Sequence, residues 1–276
     1  MKILSCGAGM QSTALALMSC ENKKEIKYKE VPVYDAIIFC DLGNEPKWVY
    51  QQVDFIKNAC ENAEIPFYIL DTHLYQDYLD NFGKHRVVSI PFWSVDENGK
   101  KGKMMRNCTL DYKINEIIKF VKYKLLGYVK YQRVKVEDLK AHEMHLGFSL
   151  EEKHRCKENK HKMFINKFPL VDMKLTRADN YKYILEEWDL DTKASACCFC
   201  PFHTNYFFEY MKDNHKEQYQ SILDFDEMLE REQPNTKIRS KLYISKSRKR
   251  IKDLSNEDFK DKEVFEYKNQ KIWNGF

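Results

Sequence analysis

The chain has 276 residues, of which 43% are hydrophobic and 32% charged, with a formal net charge of +4. That is enough for one large domain, or one domain with an appendage, and enough apolar residue to bury a core. No apolar run approaches the roughly 20 residues of a membrane span, so no membrane partner is expected, and the mild positive charge does not by itself imply nucleic acid.

Lys2 to Cys20 (KILSCGAGMQSTALALMSC) reads as strand, glycine loop and helix. No basic leader or cleavage site precedes that strand, which predicts a cytoplasmic protein. Gly7 and Gly9 let backbone approach a ligand, and the helix beyond them presents free N–H groups and the positive end of its dipole. The natural occupant is a phosphate. Ser5, Gly7, Ala8, Gly9, Gln11, Ser12 and Thr13 are the candidate cofactor-binding residues, with Ser12 and Thr13 as hydroxyl donors. No Gly-Lys-Ser/Thr follows, so this is not a P-loop; the spacing Gly-x-Gly-x-x-Ser comes close to the dinucleotide fingerprint. A tight turn without a ligand is the plain alternative.

Val33–Cys40 and Ile65–Leu70 read as buried strands, with a helix over Lys47–Cys60 between them. Strands alternating with helices predict a parallel sheet with right-handed crossovers, whose ligands bind at the carboxyl ends of strands. Asp41 lies at such an end, either accepting hydrogen bonds from a nucleotide or capping a turn. Residues 71–105 are less regular, and 95–103 reads as a turn or hairpin tip. Thr109 is placed to cap a helix with Ile114, Ile117, Ile118, Val121 and Leu125 inward. Cys108 then precedes a helix N-terminus, where the dipole favours thiolate. His145–Phe148 reads as a strand leading to Arg155, a candidate phosphate clamp, with Glu152 to orient it; a solvated charged turn is the alternative. Residues 153–162 look exposed, Phe168–Leu170 begins an apolar docking segment, and Thr176 caps a helix over Arg177–Trp188.

The chain has nine cysteines, an odd number, which in a reducing compartment favours a metal or redox site over a disulfide framework. Cys197 and Cys200 form C-x-x-C, a spacing that presents both sulfurs to one metal. With Cys108 they make three thiolates, suited to a [4Fe–4S] cluster with one open iron or to zinc completed by His203. A buried apolar knot of cysteines is the alternative. Thr204–Arg231 reads as helical and Pro234 closes it. Between residues 237 and 252 eight residues are Lys or Arg and none is acidic, which suits a nucleic-acid backbone or a solvated basic face.

These stretches together resemble the PP-loop superfamily of adenine nucleotide alpha hydrolases, in its phosphoadenosine phosphosulfate (PAPS) reductase-like branch. The resemblance spans about residues 2–212. It is carried by Ser5–Leu15, Phe39–Tyr50 (FCDLGNEPKWVY), Arg106–Ile114 (RNCTLDYKI), Gly147–Arg155 and Ser195–His203 (SACCFCPFH). It implies an α/β fold with a Rossmann-like parallel sheet flanked by helices over residues 1–203, followed by a helical, basic C-terminal region over 204–276.

The resemblance further implies that ATP, or an adenylyl sulfate, binds with Mg2+ on Gly7–Thr13, with Asp41 in the pocket. Cys108, Cys197 and Cys200 would hold a [4Fe–4S] cluster. Glu152 and Arg155 would face the substrate, Arg155 and Lys113 neutralising charge as pyrophosphate leaves. The expected activity is ATP-dependent sulfur transfer or a related nucleic-acid or nucleobase modification, with a sulfur donor or reductant protein as a possible partner and an oligomer allowed. The loop departs from the superfamily's Ser-Gly-Gly-x-Asp-Ser by carrying Gln11 at the acidic position. No cysteine follows Cys200, where PAPS reductases carry their tail nucleophile. Sulfonucleotide reduction is therefore the second reading, and a nucleotide sensor or nucleic-acid-binding module with structural zinc the third.

Overall fold

Strand residues alternate between the two faces of a sheet, so a strand covered on both sides is apolar throughout. The computed structural model describes residues 1–273 and 275. In it β1 (Lys2–Cys6), β2 (Ala36–Asp41), β3 (Phe67–Asp71), β6 (His142–Leu146) and β7 (Phe164–Lys167) form a five-stranded sheet in the order β3-β2-β1-β6-β7, parallel at every pairing. Leu4, Cys6, Ile37 and Phe39 face one core, with α1 (Met10–Lys24) and α2 (Lys47–Asn62). Ile3, Ile38, Cys40 and Met144 face the other, with Ile117 and Val121. The fold is thus α/β, a parallel sheet flanked by helices. The chain winds outward from β1 to β3 and returns to the other side of β1 for β6. The carboxyl ends of β1 and β6 therefore border the crevice where such sheets hold ligands.

The helix after Cys108 is α-helical over α4 (Asn115–Phe120) and π-type over Leu110–Ile114 and Val121–Leu125. Each π turn adds a residue and rotates the side chains that follow. Ile117 and Val121 are buried as expected, but Ile114 is exposed. Thr109 has helical backbone angles and its side chain makes no capping bond, so the expected cap is not formed. Elsewhere capping chemistry is as read. Thr176 and Asp179 form a reciprocal capping box that starts α6 (Arg177–Trp188).

The C-terminal region begins with two helices, α7 (Asn205–Asn214) and α8 (Lys216–Glu232), separated at His215, where the backbone leaves helical angles. It then departs from helix. β8 (Lys241–Tyr243) pairs with β4 (Trp93–Val95), which pairs with β5 (Lys101–Lys103) around the hairpin tip read from 95–103. A second hairpin follows, β9 (Val264–Tyr267) with β10 (Gln270–Trp273). Short elements α3 (Leu74–Asn81) and α5 (Pro169–Asp172) complete the chain. No helix of the described residues is long and apolar enough to cross a membrane.

The crevice depends on Gly147, at the end of β6. A Cβ there would lie 2.7 Å from the Ser12 amide nitrogen and 3.0 Å from the Gln11 carbonyl carbon, both backbone. Gly147→Ala must push α1 away from β6. The expected cost is about 1–3 kcal/mol in urea unfolding, the usual range for overpacking; an unchanged midpoint would contradict this close approach.

Candidate functional site

Beyond β1 the chain reverses tightly. Ala8 takes a left-handed backbone, φ 53°, while fully buried, a conformation that favours glycine. The Ser12 hydroxyl accepts from the Gly7 amide at 3.1 Å and donates to the Gly9 carbonyl at 3.2 Å; the Thr13 hydroxyl donates to the same carbonyl at 2.9 Å. Both hydroxyls thus shape the loop from within rather than reaching outward. The first bond of α1 is Thr13 N–H to the Gly9 carbonyl, 3.0 Å, so the amides of Met10, Gln11 and Ser12 have no acceptor within the helix. These amides, not the hydroxyls, are what the loop offers an anion.

A cleft of about 210 Å³ opens at this helix end, lined by Gly9, Met10 and Gln11, by Gly147 and Phe148, and by Ala194 and Ser195. Arg106, Arg155 and Arg177 also line it, against one carboxylate, Glu152. The Glu152 carboxylate pairs with Arg155 and accepts from Gln11 Nε2 at 3.1 Å. The Arg155 guanidinium lies 4.5 Å from the centre of the Phe148 ring. Three guanidinium groups, one carboxylate and a helix N-terminus make a site for a multiply charged anion.

One segment serves this cleft and the cysteines together. Ser195 lies so close to the glycine loop that a Cβ on Gly9 would come within 2.8 Å of its hydroxyl oxygen. Two residues on, Cys197 and Cys200 turn back on each other, the Cys200 amide donating to the Cys197 carbonyl at 2.9 Å. Burial raises both thiols, Cys200 to about 11 and Cys197 well above its ordinary value. Neighbouring Cys108 and Glu45 push both in the same direction, so these groups share one neighbourhood. Cys108 arrives from the first helical turn after Arg106 and is half-buried. Cys198 faces away, its sulfur accepting from Gln218 at 3.7 Å. Donor chemistry fits a thiophilic metal group, with soft sulfurs in a largely dry setting. No three or more Cys, His, Asp or Glu of the described residues are arranged to hold a single metal ion. His203 turns Nε2 to the Cys197 carbonyl at 2.9 Å and stacks on Phe207, and burial lowers its pKa to about 3. It braces the cysteine turn from behind.

Two residues at this centre are not among the site residues expected from the sequence, though one, Glu45, lies within the FCDLGNEPKWVY stretch. Glu45, 1% exposed, accepts from the Cys197 thiol at 3.6 Å through Oε1, and burial raises its pKa although Lys113 opposes the rise. Burial in turn disfavours the Lys113 ammonium, but Glu45, Cys197 and Cys40 outweigh it and raise its pKa. The second is Gln52, on α2. Its Nε2 donates to the Ala8 carbonyl and, at 3.1 Å, to the Lys193 carbonyl, while Oε1 accepts from the Lys193 amide at 2.7 Å. Trp48 Nε1 donates to the Ala194 carbonyl at 3.1 Å. A polar residue among buried Val49, Val53 and Ile56 is the sequence signal that could have found Gln52.

The remaining candidates fall elsewhere. Ser5 stays within β1, in register with Ile38 and Leu146. Asp41 shapes the β2–α2 turn, Oδ1 accepting from the Gly43 amide at 2.8 Å and the Tyr50 hydroxyl at 3.1 Å, and is not among the residues lining the arginine cleft. Half of the basic run at 237–252 is spent inside the fold. Arg250 pairs with Asp226 at 3.0 Å, Lys249 with Asp258 at 2.8 Å and Lys246 with Asp261 at 2.7 Å. Arg248 donates to the carbonyls of Ser94, Lys246 and Gly102.

No protein-family model matches this chain, and no curated protein matches it. Among solved structures it is similar to the U34-tRNA thiolase NcsA from Methanococcus maripaludis with its [4Fe-4S] cluster, at 14% identity and a TM-score of 0.40, over 82% of this chain and 71% of that one. A likeness that distant carries no argument about activity, so the functional reading rests on the site.

Two measurements check this geometry. Gln52→Leu strands buried polar groups of Ala8 and Lys193, each costing about 1–3 kcal/mol, and should lower stability while weakening anion binding; a neutral outcome would mean the cross-link is dispensable. Arg106→Ala and Arg155→Ala should each weaken calorimetric binding of inorganic pyrophosphate about tenfold, from loss of a charge-assisted hydrogen bond. Lys47→Ala, outside the cleft, should leave it unchanged. Equal binding in all three would contradict the cleft assignment.

Proposed function

We propose that the protein is an ATP-dependent sulfurtransferase that forms AMP and pyrophosphate and uses an iron–sulfur cluster. One observation carries the reading: residues 194–200 line the arginine cleft with Ala194 and Ser195 and supply Cys197 and Cys200 beside Cys108. A polyphosphate site and a thiol centre separated by one turn suit a reaction that activates an acceptor with a nucleotide and then delivers sulfur to it. The motif resemblance to the PP-loop superfamily points the same way.

In this reading the amides of Met10–Ser12 hold phosphate oxygens, and Arg106, Arg155 and Arg177 neutralise the charge that develops as pyrophosphate leaves. Glu152 orients Arg155 through their ion pair and positions Gln11. Lys113 lies on the thiol side and balances the anionic centre there. Acceptor oxygen attacks the α-phosphorus as the bond to pyrophosphate breaks; a sulfur nucleophile then displaces that oxygen, which departs in AMP. Cys108, Cys197 and Cys200 would hold a [4Fe–4S] cluster, which when bound supplies an iron with a position open to sulfide. A cluster spans more space than one ion, which favours it over zinc at thiols not drawn together around a point.

A nucleic-acid or nucleobase acceptor is supported by the surface beside the cleft. Lys103 lies 4.5 Å from the centre of the Phe202 ring and 5.1 Å from that of Trp93, and Arg106 lies 5.2 Å from Phe202. Cations interleaved with aromatic rings suit phosphates and stacked bases. In this reading acceptor contacts fall at the β4–β5 hairpin in preference to the basic run, half of which is paired within the fold.

Protein purified without oxygen should be brown, bind about four irons per chain in the manner of a [4Fe–4S] centre, and convert ATP to AMP and pyrophosphate when acceptor is present. Cys108→Ala, Cys197→Ala and Cys200→Ala should lose the colour, and Cys198→Ala should keep it. Colourless, iron-free wild-type protein that leaves ATP intact would overturn the proposal.

A further inference from the structure

The β2–α2 loop is fastened to the cysteine segment and to α8 from several directions. The Asn44 carbonyl accepts from the Cys198 amide at 2.8 Å, and the Asn44 side chain donates to Ser221 Oγ at 3.1 Å. Gln218 Nε2 donates to the Glu45 carbonyl at 2.9 Å, and its Oε1 accepts from the Lys47 amide at 3.0 Å. The Glu45 amide donates to the Tyr50 hydroxyl at 3.3 Å, which itself donates to Asp41. Glu45 is therefore held by backbone bonds to side chains on both sides. These bonds bring a carboxylate to a place where burial penalises it. One oxygen accepts from Cys197 Sγ, and the other, Oε2, has no hydrogen-bond partner among the described residues. A buried carboxylate oxygen with no partner is costly, and retained ones call for an explanation such as an ion.

We propose that Glu45 is a fourth protein ligand of the centre held by Cys108, Cys197 and Cys200, binding through Oε2 the iron that the three thiolates leave open. This rests on the cluster reading of the preceding section. A carboxylate is a hard donor and holds iron less tightly than sulfur does. Glu45 would fill that position as a weakly held ligand, one that sulfide could replace by ligand exchange with no change of oxidation state. The Lys113 ammonium, which Glu45 strengthens, is at hand to balance the carboxylate.

The test uses full-length wild-type protein, Glu45→Gln and Glu45→Ala, each reconstituted without oxygen from ⁵⁷Fe and sulfide. Circular dichroism confirms the fold, and the isosteric Glu45→Gln decides if Glu45→Ala is unfolded. All should load equal iron. Mössbauer spectra should give the fourth iron different parameters in the wild type and in the variants, where a solvent oxygen takes the carboxylate's place. Under mild oxidation by ferricyanide the variants should lose the fourth iron about tenfold faster, the lower end of the usual effect of removing a group that supports a metal site. Identical spectra and identical rates in wild type and Glu45→Gln would overturn the ligand assignment and leave the cluster standing. Wild-type protein that binds no iron would overturn both.

Discussion

Gln52 is the fastening on which the site depends. It is 2% exposed, and its single amide group satisfies backbone on two separate segments, the glycine loop at Ala8 and the cysteine segment at Lys193. Ala8 is held in a left-handed conformation that a side chain disfavours. Such a loop persists only where its surroundings over-determine it. Gln52 supplies part of that constraint, and Ser195 packed against Gly9 supplies another part. The anion-binding end of α1 and the cysteine segment are consequently tied to one another through α2 and not by the sheet alone.

The chemistry follows from where polar groups are buried. The parallel sheet brings β1 and β6 side by side, so the loops after them meet at the only kind of crevice such a sheet provides. One side of that crevice is wet and cationic, with Arg106, Arg155 and Arg177. The other is dry, with the pKa of the Cys197 and Cys200 thiols raised by burial and with Glu45 and Cys197 beside the Lys113 ammonium. Asp41 belongs to this second side indirectly. By holding Gly43 and Tyr50 it fixes the loop that carries Glu45, a structural role the turn chemistry allowed and the nucleotide reading did not require.

Local signals made much of this legible. Strand, glycine loop and helix at Lys2–Cys20, the Thr176 cap and the C-x-x-C turn are each written in neighbouring residues, and each is found where expected. What escaped depends on distant parts of the chain meeting. β7 is a short edge strand, visible only once β6 is beside it. β8 sits within a basic run and becomes a strand because β4 is there to pair with. Two π turns displaced Ile114 from the apolar stripe that a uniform helix would give it. Arg106 and Arg177 had no signal in isolation, since their shared target is a cleft assembled from five separate segments. Hydroxyls after a glycine loop can point either way, so the sequence alone allows Ser12 and Thr13 as ligand donors; the structure turns them inward to the Gly9 carbonyl.

In the proposed function the arginine cleft and the thiol centre work as one catalytic site. A crystal structure of protein purified without oxygen, with a non-hydrolysable ATP analogue and data collected at the iron absorption edge, tests it most directly. Phosphates should lie against the Met10–Ser12 amides and the arginines, with iron signal at Cys108, Cys197 and Cys200 beside them. Nucleotide bound elsewhere, or an absence of metal signal at the three cysteines, would contradict it.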